Sequence, residues 1–198
     1  MENSQVISTW FASDHHIGHK NILEYEKEYR PFSTIEEMRE TIIERHNAVV
    51  KPNDIVYFLG DFAFGKHNIH HAGRFNGKKK LILGNHDTYP SSEYLTYFDK
   101  LYGVVFYERC VLSHMPVHPN GLGARWMLNI HGHLHSKKVK RAIGMMMDVP
   151  QEDGRIVTIS TPIGEDTDPN YFNVSVEQNN LTPIHRDVIM ERLKEVDQ

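Results

Sequence analysis

The chain has 198 residues, 39% hydrophobic and 24% charged, with a formal net charge of −4. That length suits a single domain, 1–198, with a sizeable core, and the acidic balance argues against a protein that coats long nucleic acid electrostatically. With one cysteine, Cys110, neither an intrachain disulfide nor a cysteine-built zinc site can form.

Apolar runs rich in β-branched residues predict buried strands at 6–11 (VISTWF), 54–60 (DIVYFLG), 80–84 (KLILG), 110–114 (CVLSH), 126–132 (WMLNIHG) and 172–176 (FNVSV). Between the first two, Thr34 and Glu37 have capping-box spacing, and Ile35, Met38, Ile42, His46 and Val49 follow at helical period. Further helices are predicted from Ser91 or Ser92 and over 186–196. Cys110 reads as a small core residue. The stretch 145–169 reads as a hairpin or insertion with polar turns. Its methionine triplet suits packing better than ligation, and as an exposed segment it permits a dimer contact. The order of elements predicts an α/β sandwich of mixed sheets flanked by helices. The chain does not open on a basic stretch with a long apolar run behind it. Nor does any apolar run approach the roughly 20 residues of a bilayer span. The expectation is a cytoplasmic protein without membrane contact.

Fourteen histidines are the unusual count, and the apolar runs end on ligand-type residues. Asp14, His15 and His16 follow the first run, and Gly60 and Asp61 close the second. Gly84, Asn85, His86 and Asp87 follow the third. His114 ends the fourth, and His131, His133 and His135 come at the fifth. Ligands of open α/β sheets bind beyond the carboxyl ends of strands, so these five ends can converge on one cleft. Asp, His and Asn without thiolate suit Mn²⁺, Fe or Zn²⁺ in a non-structural site. Seven such groups are too many for one tetrahedral ion and about right for two ions that share a carboxylate.

The blocks D14-x-H16, G60-D61, G84-N85-H86-D87, S113-H114 and G132-H133-x-H135 resemble the signature of the calcineurin-like metallophosphoesterase superfamily, in its order. SDHHIGHKNILEY, RPF and the closing YFNVSVE are similar to a branch of small single-domain members found in bacteria and phages. The resemblance implies the metallophosphoesterase-type sandwich. It also implies two divalent metal ions, Mn²⁺ first, with Fe, Zn²⁺ or Ni²⁺ as substitutes. One ion would be held by Asp14, His16 and His135 and the other by Asn85, His114 and His133, with Asp61 bridging. His131 is left as a supporting group or a wall of the cleft, and His15 is expected to point away.

The implied activity is hydrolysis of a phosphodiester or phosphomonoester by a metal-bridging hydroxide, with His86 protonating the leaving oxygen or stabilising the transition state. Asp61 and His86 are therefore the catalytic candidates. Protein phosphatases of the superfamily read G-D-x-x-D-R-G at the second block; here Phe64 and Gly65 replace that Asp and Arg. This departure favours a small, nucleotide-like phosphate ester as substrate. His19 and Arg30 are the candidate substrate contacts. Lys20 and the run KKVKR (137–141) are further basic groups near the motifs, and Tyr25, Tyr29, Phe62 and Phe64 offer stacking surfaces. The alternatives are a nuclease or nucleic-acid end-processing phosphatase using the same metals, and a non-catalytic metal-binding scaffold of the same fold.

Overall fold

A computed structural model describes residues 6–153 and 155–197. The first half runs β1 (Thr9–Ala12), α1 (Ile22–Tyr25), α2 (Ile35–Val49), β2 (Ile55–Phe58), a 3-10 stretch (Lys66–Arg74) and β3 (Lys78–Ile82). It continues through α3 (Ser91–Leu95), β4 (Lys100–Tyr102), β5 (Val105–Tyr107), β6 (Cys110–Leu112) and β7 (Leu128–His131). The remainder is β8 (Lys140–Pro150), β9 (Ile156–Thr167), β10 (Tyr171–Asn173), β11 (Ile184–His185) and α4 (Arg186–Val196).

These strands build two mixed sheets, in the orders β11-β1-β2-β3-β4 and β10-β7-β6-β5. The strands β1 to β4 are parallel to their neighbours, as are β6, β7 and β10; β11 and β5 are the antiparallel edges. Alternation along β2 assigns its side chains to two cores. Val56 and Phe58 meet Met38, Ile42 and Ile43 of α2 on one side. Tyr57 and Leu59 turn the other way, and with Phe11 and Ile82 they pack on Cys110, Leu112, Leu128 and Ile130 of the second sheet. Burial in that layer pushes the Cys110 thiol up to about 12, so it is an inert apolar packing group.

The helix α2 starts where its cap chemistry requires. Thr34 Oγ1 accepts the Glu37 N–H at 3.1 Å, and the Glu37 carboxylate accepts the Ser33 N–H at 3.0 Å. Satisfying two free donors in this way fixes the first turn. The sequence does not predict β4, β5 and β11; at 3, 3 and 2 residues they are too short to show a period. Among the described residues no helix is long and apolar enough to cross a membrane.

The predicted hairpin starts earlier than its sequence signal. Among the described residues, β8 and β9 pair only with each other and form a two-stranded arm beside the sandwich. The methionine triplet expected to pack stands in water instead, with Met145, Met146 and Met147 exposed by 53%, 66% and 47%.

Candidate metal centre

The parallel strands of both sheets deliver their carboxyl ends to one side, and the loops that follow carry the ligand-type residues. Two groups come together there. Asp14, His16 and His135 form one, and Asp61, His114 and His133 the other; within each group the potential ligand atoms lie within 4.8 Å of one another. Asp61 Oδ2 sits between the groups, 3.6 Å from His16 Nε2 and 3.3 Å from His114 Nε2. Asn85 Oδ1 lies 2.9 Å from His114 Nε2, which puts the amide beside the second group. His86 lies over the cleft, with Nε2 3.9 Å from Asp61 Oδ2.

The chemistry of the donor set fits cations. Asp14 is fully buried, yet its Oδ1 has no hydrogen-bond partner, and neither has His16 Nε2. Such orphaned groups are costly unless something else satisfies them. Burial pushes the Asp14 carboxyl up despite the opposing pull of His135 and His114, and a bound divalent ion reverses that penalty. Burial also pushes Asp61 up, but the hydrogen bond and charge of His114, with the His86 N–H, hold it down at about 2. His114 Nδ1 donates to the Leu59 carbonyl at 2.8 Å, and His135 Nδ1 donates to Glu177 Oε1 at 2.9 Å. Each ring therefore presents Nε2 to the centre, its orientation fixed by the bond made at the other nitrogen.

The backbone around these residues is held in conformations that local preference disfavours. Asp14, His16, Asp61, His133 and His135 have φ of 58°, 48°, 52°, 68° and 51°. Left-handed non-glycine residues cost of order 1–2 kcal/mol each, so the surrounding contacts must over-determine them. Asp14 Oδ2 accepts from the His133 N–H and from Ser175 Oγ, at 2.9 and 2.8 Å. The Asp87 carboxylate accepts the N–H groups of Asp61, Gly84 and Phe62, at 2.8, 2.9 and 3.3 Å, which ties the second loop to the third. Two glycines permit the close approach. A Cβ at Gly132 would stand 2.0 Å from Ser13 Oγ and 2.4 Å from Asp14 Oδ2, and one at Gly84 2.2 Å from Asp61 Oδ1.

Arg30 requires a correction. Predicted as a substrate contact, it is completely buried. Its Nε donates to Glu177 Oε1 at 2.8 Å, Nη1 to the His15 carbonyl at 3.0 Å, and Nη2 to the Asp14 carbonyl at 2.5 Å. With those donors committed behind the ligand loop, Arg30 pins the backbone of Asp14 and the carboxylate that orients His135. It does not face the cleft.

Glu177 is the functional residue that sequence reasoning misses. A signal is present, because Arg30 and Glu177 fall in RPF and YFNVSVE, two of the three stretches that resemble the branch. Their partnership spans 147 residues of sequence, so no local pattern joins them.

His19 lies at the cleft edge, its ring stacked on half-exposed Phe64 at 4.5 Å and 5.3 Å from the His16 ring. Tyr25 and Tyr29 are exposed, whereas Phe62 is core. His15 packs among Phe58, Phe62 and Phe75, away from the centre. His131 is buried, with Nδ1 on the Gly132 carbonyl at 2.8 Å and Nε2 without a partner.

The calcineurin-like phosphoesterase family model matches residues 7–174. The uncharacterized protein MJ1445 of Methanocaldococcus jannaschii is 31% identical over 191 residues, covering 93% of this chain and 90% of that one. The Gene 66 protein of Mycobacterium phage L5 is 41% identical over 85 residues, covering 40% of each. The crystal structure of a protein of unknown function from Aquifex aeolicus superposes with a TM-score of 0.63 at 25% identity, over 94% of this chain and 99% of that chain. The match over most of its length, together with the convergent ligand loops, makes this chain a member of the calcineurin-like phosphoesterase family.

Proposed function

We propose that this protein hydrolyses small, nucleotide-like phosphate esters with two divalent ions. Asp14, His16 and His135 would hold one, Asn85, His114 and His133 the other, and Asp61 both. The observation that carries this reading is the position of Asp61, whose Oδ2 is within 3.6 Å of a histidine nitrogen from each group. When bound, such ions polarise phosphoryl oxygens and make a water nucleophilic near neutral pH. The absence of thiolate favours Mn²⁺, with Fe, Zn²⁺ and Ni²⁺ as alternatives.

The chain's own groups would do the rest. Asp61, held ionised, keeps the two halves of the site at fixed separation. His86 is anchored by its own N–H to Asp61 Oδ1 at 2.9 Å, while its side chain remains 40% exposed. From there its ring can give a proton to the departing oxygen. Phe64 stands where phosphoprotein phosphatases carry the second aspartate of that block, and its stack with His19 forms an aromatic ledge beside His86. A ledge of that kind supports a planar leaving group or base, each stack being worth about 1–3 kcal/mol.

The proposal is tested by hydrolysis of bis-p-nitrophenyl phosphate and p-nitrophenyl phosphate by metal-stripped protein, then with Mn²⁺, Ni²⁺ or Zn²⁺ restored. Metal-dependent turnover that disappears in Asp61→Ala is expected. Two bound ions without turnover on any ester would overturn the reading. His86→Asn should keep both ions and lose about 100-fold in turnover on an ester with a poor leaving group. Phe64→Ser should lower kcat/KM about 10-fold for nucleoside esters and leave alkyl esters unchanged.

A further inference from the structure

Two surfaces flank the metal centre, one beside each ligand group. The His19–Phe64 ledge belongs to the first group. The His16 ring stands 5.3 Å from His19 and 5.4 Å from His86, which in turn is 5.8 Å from Phe64. Beside the second group lies a groove of about 390 Å³. Asn85 and His114 line it where it meets the centre, and Leu83, Val104, Met115 and Val117 supply its apolar walls. Small-molecule sites span roughly 300–1,000 Å³, so the groove has room for a compact group.

Each wall follows a strand: Leu83 comes after β3, Val104 after β4, and Met115 and Val117 after β6. Hydrogen bonds hold these segments in place. The Leu83 N–H donates to the Tyr102 carbonyl at 2.8 Å. Ser113 Oγ donates to the Met115 carbonyl at 2.7 Å, and the Val117 N–H donates to Asn129 Oδ1 at 2.9 Å. The groove is therefore preformed, yet Leu83, Val104 and Met115 are left 36%, 47% and 48% exposed. Apolar residues exposed singly are ordinary. Three that line one fixed groove ending on two ligand residues make a surface for a bound group.

The groove's chemistry selects that group. Among the described residues no lysine, arginine, aspartate or glutamate lines it. A polynucleotide strand passing through the centre would lay its next phosphate against hydrocarbon, with no cation to meet it. A phosphate monoester has one arm, which the ledge beside His86 accommodates, and it would leave the groove unused. A diester has two arms.

We infer that the substrate is a phosphodiester with a planar arm on the ledge and a second, uncharged apolar arm in the groove of Leu83, Val104, Met115 and Val117. This rests on the reading of the centre as a two-ion phosphoesterase site and narrows its substrate. His86 stands on the ledge side, so the ledge arm is the one that departs. The oxygen of water bonds to phosphorus, the P–O bond to the ledge arm breaks, and that arm leaves as an alcohol carrying the proton. The groove arm remains on phosphorus as a monoester.

Two esters with one leaving group read the second arm: phenyl p-nitrophenyl phosphate and methyl p-nitrophenyl phosphate. In metal-loaded protein, kcat/KM should favour the phenyl ester about 10-fold. Val104→Thr and Met115→Gln, which put polar atoms into the groove, should each lower that ratio about 5-fold. Binding is read separately by NMR of Zn²⁺-loaded protein labelled at the methionine methyls. The Met115 signal, identified by its loss in Met115→Gln, should shift with diphenyl phosphate and not with dimethyl phosphate. Turnover on both esters with a ratio that neither variant changes overturns the inference and leaves the two-ion reading standing. Turnover on neither ester overturns the two-ion reading, and the methyl signal then decides the groove. A shift with diphenyl phosphate alone keeps it as a site for an apolar phosphodiester, whereas no shift gives the groove to another occupant and overturns the inference.

Discussion

The metal-centre loops and the β8–β9 arm are opposite solutions to placing a chain outside the two sheets. Around the centre, five left-handed residues are locked by side chains and N–H groups from distant loops. In the arm the backbone is extended, with one register shift at Ile143/Gly144, and most of its side chains are exposed. A strained segment with many partners is rigid, whereas an unstrained one with few is adaptable. The centre must hold ligand atoms at fixed separations, and rigidity serves that.

The sharpest way to break that contrast is to place the same methyl group in both regions. Gly132→Ala forces a Cβ to within 2.4 Å of Asp14 Oδ2 and still closer to Ser13. It should cost about 3 kcal/mol of stability and about 100-fold in metal affinity, read by thermal melting and titration calorimetry. Gly164→Ala in β9 meets nothing within 4 Å and should change stability by less than about 0.5 kcal/mol.

Breaking the buried pair should cost at least as much stability. Arg30→Met leaves Glu177 charged in the interior, and breaking such a pair costs about 3–5 kcal/mol. Glu177→Gln should lower affinity for the ion on His135 by about 10–100-fold, because the ring loses the carboxylate that sets its tautomer. Metal affinity unchanged in Glu177→Gln would show that His135 needs no such partner.

A pH effect separates the core behind the centre from the centre itself. Burial against Phe58 and Phe75 holds His46 down at about 4, although its bond to the Asn76 carbonyl opposes that shift. Its folded-state value lies below the ordinary one, so the unfolded chain takes up the proton first. The stability it contributes is fully present above about pH 6.5 and is lost as pH falls towards 4. That loss amounts to about 3 kcal/mol. His46→Gln should flatten this limb of a denaturation series, and an unchanged limb would assign it to other groups.

The smallest effect expected is from removing the arm. The Asp168 N–H already donates to the Val139 carbonyl at 2.9 Å, so a short Gly-Ser turn can replace 141–166. Metal affinity and melting temperature should be unchanged. A fall in metal affinity would mean that the arm also supports the His135 loop.

Much of this is legible in the sequence because it is local. Thr34 and Glu37 announce the start of α2, and α4 occupies the predicted 186–196. The ligand blocks are legible because each follows a strand within a few residues, and parallel strands must end on one side. The Arg30–Glu177–His135 chain is not legible. Its members are far apart in sequence, and a buried arginine has the same letter as one that binds substrate. The extent of the arm is also hidden, since a run of apolar residues does not say whether it has anything to pack on.

By itself, then, the sequence determined the strand–loop order and the ligand types of an α/β phosphoesterase, since these depend on neighbours along the chain. Only the tertiary structure decided that Asp61 lies between the two groups, that Arg30 faces inward and that the methionines face water. Those outcomes depend on which distant side chains fill the space around each residue, and chain order does not specify that.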